Sequence, residues 1–164
     1  NATLGDLERI VSAICEKFKH LVENNLWKFL YKDNGRPKHE SASQIIFYAV
    51  ADIYCTANKL TLARECNAGR GPVDFKVANG THNILVDTKL STNTSLIHAY
   101  EKQLPIYEQA ENSAGSKIIV IQVNEKTKQI KALQTRKESD STAGKKTPTI
   151  LVVDGLPKES ASRD

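Results

Sequence analysis

The chain has 164 residues, 40% apolar and 26% charged, with a net charge of +4. Those proportions are those of a folded domain and exclude a disordered or low-complexity segment. No stretch approaches the roughly 18 apolar residues of a membrane span, and no signal peptide opens the chain. Cys15, Cys55 and Cys66 are odd in number and lack Cys-x-x-Cys spacing, which argues against a disulfide framework or zinc knuckle. Buried thiols in a reducing, cytoplasmic setting are expected instead. The absence of any methionine, an initiator included, points to a piece of a longer protein. Its length suits a single domain, residues 1–164. Within it the expected parts are a helical extension (1–34), a core (38–135), a flexible polar loop (137–147) and a terminal strand and tail (148–164).

In chain order, Leu4, Leu7, Val11, Ile14, Phe18 and Leu21 recur every three or four residues. That stripe predicts an amphipathic helix, with Thr3 and Asp6 at its start. Leu26, Trp27, Phe29, Leu30 and Tyr31 read as the packed end of that helix, with base stacking as the alternative. Asn34-Gly35-Arg36-Pro37 breaks the chain before a buried helix expected over Ser41 to Tyr54. Glu40 and Gln44 stand four apart at its mouth, where a carboxylate serves either the helix dipole or a metal. A short strand, Leu60 to Glu65, leads into Asn67-Ala68-Gly69-Arg70-Gly71-Pro72, a tight glycine-bearing entry.

Next come two strands, residues 71–77 and 84–90, around Ala78-Asn79-Gly80-Thr81-His82-Asn83. Asn-Gly is a strong hairpin signal. Strand side chains alternate faces, so the loop length decides which residues meet. An even loop, Asn79-Gly80 alone or Asn79 to His82, puts Asp74, Asp87 and Lys89 on one face. The other face then collects Val73, Phe75, Val77, Ile84, Val86 and Leu90. An odd loop would bury Asp74 among apolar residues, which is costly for an unpaired carboxylate. Two carboxylates about 4 Å apart repel by roughly 4 kcal/mol at an effective dielectric near 20, so keeping both ionised calls for a cation. Oxygen ligands suit Mg²⁺ or Mn²⁺. Lys89 could orient a water, stabilise an anionic transition state or accept a proton. The plain structural alternative is the polar side of a half-exposed hairpin.

Beyond Leu90, Ser91-Thr92-Asn93-Thr94-Ser95 offers caps for a helix reaching about Ala110. Pro105 inside it calls for a kink or a fresh start. Gln103 and Tyr107, four apart, would share a helical face. Lys117 to Val123 reads as a buried strand, followed by a turn at Asn124 to Thr127 and a further strand through Leu133. Thr149 to Val153 is expected as a last strand. Eight basic residues against three acidic lie between Lys117 and Lys146, a surplus able to meet a phosphate backbone.

The order Glu40, Gly71-x-x-Asp74, Asp87-x-Lys89, Gln103-x-x-x-Tyr107 resembles the PD-(D/E)XK nuclease superfamily over roughly residues 38–124, and the last motif is similar to that of its RecB-type branch. That branch often carries a histidine on the upstream helix, a place His39 and Glu40 both fit. The resemblance implies an α/β, restriction-endonuclease-like core with a mixed central β-sheet flanked by helices, the amphipathic helix preceding it. It implies Mg²⁺ or Mn²⁺ held by Asp74 and Asp87, with Glu40 and Thr88 supporting or sharing the ion. Asp74, Asp87, Lys89 and Glu40 would be catalytic, and Gln103, Tyr107 and Arg70 would position substrate. The implied activity is hydrolysis of DNA, in a module of a defence, restriction or repair protein, alone or as a homodimer. RNA stays open as the substrate. Two other readings are an inactive nucleic-acid-binding or dimerisation module and a protein-binding domain using the Leu4 to Leu21 stripe.

Overall fold

The computed structural model describes residues 3–67 and 72–159. α1 (Leu4–Asn24) starts on a reciprocal cap: Thr3 Oγ1 accepts the Asp6 N–H at 3.2 Å, and the Asp6 carboxylate accepts the Thr3 N–H at 3.1 Å. Its buried side, Leu7, Val11, Ile14, Phe18 and Val22, packs on the sheet, so the expected extension is one of the layers of the core. A 3-10 turn (Leu26–Leu30) follows, with Leu30 buried and Phe29 exposed. α2 (Ser41–Ala57) runs three residues further than expected and is buried on one side only. Phe47, Val50, Ala51 and Cys55 face the core, while Ile45 and Ile53 are 61% and 69% exposed.

Five strands make one mixed sheet in the order β1-β2-β3-β4-β5. They are β1 (Thr61–Asn67), β2 (Pro72–Ala78), β3 (Asn83–Leu90), β4 (Gly115–Gln122) and β5 (Thr149–Asp154). The β1–β2 and β2–β3 pairs are antiparallel; the β3–β4 and β4–β5 pairs are parallel. Parallel neighbours need a crossover. Both crossovers step the same way across the sheet, so the right-handed rule puts their helices on one face. The other face is left to α1 and α2.

The first crossover is a helical stretch of three parts: α3 (Leu96–His98), a π turn (Ala99–Gln103) and α4 (Leu104–Ala110). Pro105 falls in the first turn of α4, so the fresh start is where its missing N–H costs least. The second crossover is α5 (Lys128–Thr142). Here the structure overturns two expectations: residues 128–133 are helix and not strand, and residues 137–142 are the last turns of α5 and not a flexible loop. Ile130 and Leu133 are buried at helical spacing, and a tight turn could not have joined parallel β4 and β5.

Phe18, Phe47, Phe75, Val86, Ile119 and Ile121 lead one core; Leu85, Tyr100, Leu104, Ile118, Val120 and Leu133 lead the other. Alternate residues of β4 thus enter opposite cores, which is why its apolar run is continuous. Cys15 and Cys55 are buried free thiols, pushed by burial up to about 12 and about 11. The Cys66 side chain lies outside the described part. Among the described residues no helix is long and apolar enough to cross a membrane.

Candidate active site

The hairpin pairs Phe75 with Val86, Lys76 with Leu85, Val77 with Ile84 and Ala78 with Asn83, around a loop from Asn79 to His82. That is the even loop the register argument requires. Asn79 Oδ1 accepts the N–H groups of Thr81 and His82, and Gly80 takes the left-handed φ of 90° that the turn needs. Asp74 and Asp87 stand one step past the last regular pair, Phe75 with Val86. There the Asp74 side chain replaces the ladder: its Oδ2 accepts both the Thr88 N–H and the Thr88 hydroxyl at 2.8 Å. On the neighbouring strand, Glu65 takes a left-handed φ of 48°. Val73 does not join the apolar face assigned to it; it packs in the second core with Leu85 and Tyr107, past the end of the β2–β3 ladder and beside the left-handed Glu65 of β1.

α2 supplies the third side. Glu40 is its N-cap residue, and Gln44, one turn on, donates from Nε2 to Asp74 Oδ1 at 3.1 Å. Asp74 is thereby fixed by three donors. Asp87 is 3% exposed, and its Oδ2 lies 3.0 Å from Lys89 Nζ. Burial first, then the neighbouring Asp74, push the Asp87 carboxyl up to about 7, while Lys89 pulls it down. Burial also raises Glu40, which Lys89 lowers and Asp74 raises further. Burial pulls the Lys89 ammonium down, but Asp87, Glu40 and Asp74 outweigh it and leave it above its usual value.

Glu40, Asp74 and Asp87 against the one Lys89 leave a formal charge of −2 in a largely buried site. Glu40 Oε1 is the buried side-chain oxygen without a hydrogen-bond partner among the described residues. Leaving such an atom unpaired is costly, and a cation would relieve it. No group of three or more His, Cys, Asp or Glu placed to hold one ion occurs among the described residues. An ion bound here would have the carboxylates of Asp74 and Asp87 as its acidic ligands, with Glu40 beside them, and Mg²⁺ ordinarily takes one or two carboxylates. The donor set fits such an ion on charge, hardness and number.

Thr88 is fully buried, and its hydroxyl is committed to Asp74. Tyr107 is buried in the second core beside Val73 and Leu85, beneath the acidic strands. Gln103 ends the π turn, partly exposed, and its side chain makes no hydrogen bond among the described residues. Arg70, with the glycine-bearing entry, lies outside the described residues. Gln44 is the residue that sequence reasoning left out of the site; its spacing from Glu40 was the available signal.

The fold and the site define a mixed α/β domain whose central hairpin carries a buried centre of carboxylates and one lysine. The chain belongs to the family described as a domain of unknown function, DUF8371, which matches residues 7–125 and so takes in Glu40, Asp74, Asp87 and Lys89. No curated protein and no solved structure gives a significant match.

Proposed function

We propose that this domain is a metal-dependent phosphodiesterase of PD-(D/E)XK type that cleaves DNA in the cytoplasm, as the cutting module of a larger protein. The observation that carries the reading is a largely buried centre, formally doubly negative, in which Asp87 stands against both a second carboxylate and Lys89. Structural ion pairs do not need such an excess of charge, which costs stability. Asp74 and Asp87 would hold Mg²⁺ or Mn²⁺, which supplies an acidified water and charge neutralisation at a phosphate.

The remaining work falls to the chain. Gln44 and Thr88 lock Asp74 in one orientation, leaving little reorganisation when a substrate arrives. Lys89, held at 3.0 Å from Asp87 and influenced by three carboxylates, stays an ammonium. Of the roles open to it, stabilising negative charge on the phosphate oxygens fits a group held as an ammonium by its carboxylate neighbours. Glu40 adds negative charge to the site at the mouth of α2. Labelled DNA and RNA oligonucleotides incubated with the protein and Mn²⁺ test the reading. DNA is expected to shorten; if neither polymer shortens, the proposal is overturned, and if only RNA does, its substrate is.

A further inference from the structure

Two cavities, about 430 and 410 Å³, adjoin at Thr92, which lines both, and together they are taken as one groove. The first reaches Glu40 and Leu90, with Lys38 and His39 also in its lining. The second is lined by Ser91, Asn124, Lys126 and Lys128, among others. Ser91 and Asn124 follow β3 and β4, so the groove crosses the carboxyl ends of two parallel strands, where ligands of open α/β sheets lie.

Its chemistry changes along its length. Glu40 is the sole carboxylate in the lining of either cavity, and it stands at the end by the acidic centre. At the far end Ser91 Oγ donates to Asn124 Oδ1 at 3.2 Å, and the Lys126 N–H donates to the same oxygen at 3.2 Å. Ser91 Oγ is itself held by the Val123 N–H at 3.0 Å. With its oxygen taken twice, the Asn124 amide is fixed, and its nitrogen has no partner among the described residues. Lys126 and Lys128 likewise form no ion pair among the described residues. Other basic groups of this region are occupied: Arg136 by Glu101 and Asp140, Lys145 by Asp140, Lys137 by Thr147. Lys131 and Lys146 also form no ion pair among the described residues but line neither of these cavities, so within the groove the basic surplus comes down to Lys126 and Lys128 beside an oriented amide donor. Donors without acceptors of comparable charge fit a phosphate.

We infer that the phosphodiester backbone of the strand being cut runs from the Asp74 and Asp87 centre along this groove, its flanking phosphates held by Lys126, Lys128 and Asn124. The inference rests on the nuclease reading, but binding tests it without cutting. Anisotropy of a labelled DNA oligonucleotide, measured in chelator over a range of salt, compares wild type with Lys126→Glu/Lys128→Glu and with Lys17→Glu/Lys28→Glu. The second pair makes the same charge change on exposed positions of α1 and the turn after it. The groove pair is expected to weaken binding about tenfold and to lower the salt slope by about 2, one for each lysine. The control pair should stay within about twofold of wild type. Equal losses in both pairs, or no binding by wild type at low salt, would overturn the groove. Groove-dependent binding by a protein that cuts nothing in Mn²⁺ would uphold the groove and sink the nuclease reading alone.

Discussion

Asp87→Ala is expected to reduce metal-dependent cleavage about 10³-fold or more. The substitution removes one of two carboxylates able to hold the ion and strips Lys89 of its 3.0 Å partner. Metal stabilisation of a phosphoryl transition state is worth several kcal/mol, and about 4 kcal/mol corresponds to 10³ in rate. Lys89→Ala should behave differently. It leaves both carboxylates in place, so Mn²⁺ binding persists while kcat falls about 10²- to 10³-fold with little change in KM, as expected for a group that acts on transition-state charge. Initial rates of oligonucleotide hydrolysis across Mn²⁺ concentrations separate the two. An Asp87→Ala protein within about tenfold of wild type would place the chemistry elsewhere.

The same residue should be a liability to the metal-free fold. In the folded chain the Asp87 carboxyl is raised from an ordinary 3.8 to about 7, by burial and then by Asp74. Above pH 7 both folded and unfolded chains carry the charge, and the folded chain bears the whole cost, at most about 4 kcal/mol for a shift of that size. As pH falls through about 7 the folded chain takes up a proton first, and the cost fades; below the ordinary value it is gone. Asp87→Asn should therefore melt several degrees above wild type at pH 8 in chelator, each kcal/mol being about 2–4 °C in a chain of this size. The gain should shrink toward pH 5, where the wild-type carboxyl is already protonated. Mg²⁺ should raise the wild-type melting temperature and leave the variant unmoved. Identical melting of the two proteins at pH 8 would mean that the carboxylate is not under strain, and the case for a cation would weaken. Activity purchased with stability is a common pattern at functional sites.

How much of this was legible in the sequence depends on the reach of each interaction. The hairpin was, because Asn79-Gly80, alternation and the cost of burying Asp74 are local facts that agree on one register. The conjunction of Asp74, Asp87 and Lys89 followed from that register alone. Pro105 was legible too, since a missing N–H admits few places in a helix, and the structure puts it in a first turn, just past a π turn. The strand expected through Leu133 was misread because Ile130 and Leu133 are too few to set a period. What decides that segment is the parallel pairing of β4 and β5, a non-local fact. The polar run after residue 137 misled for the same reason, since the outer side of a surface helix is as polar as a loop. Val73 shows the limit of counting residues along a strand: past Asp74 the pairing with β3 stops and Glu65 on β1 turns left-handed, and Val73 enters the opposite core. The spacing of Gln44 from Glu40 was legible, but its partner Asp74, like the Ser91 that holds Asn124, lies some thirty positions away, so neither contact could be read from the sequence.

The centre itself is open to direct measurement. Mn²⁺ titrated calorimetrically into the wild-type protein should give saturable binding, and both Asp74→Ala and Asp87→Ala should abolish it. No heat from the wild type, or the same binding in all three proteins, would contradict a metal centre built on this pair.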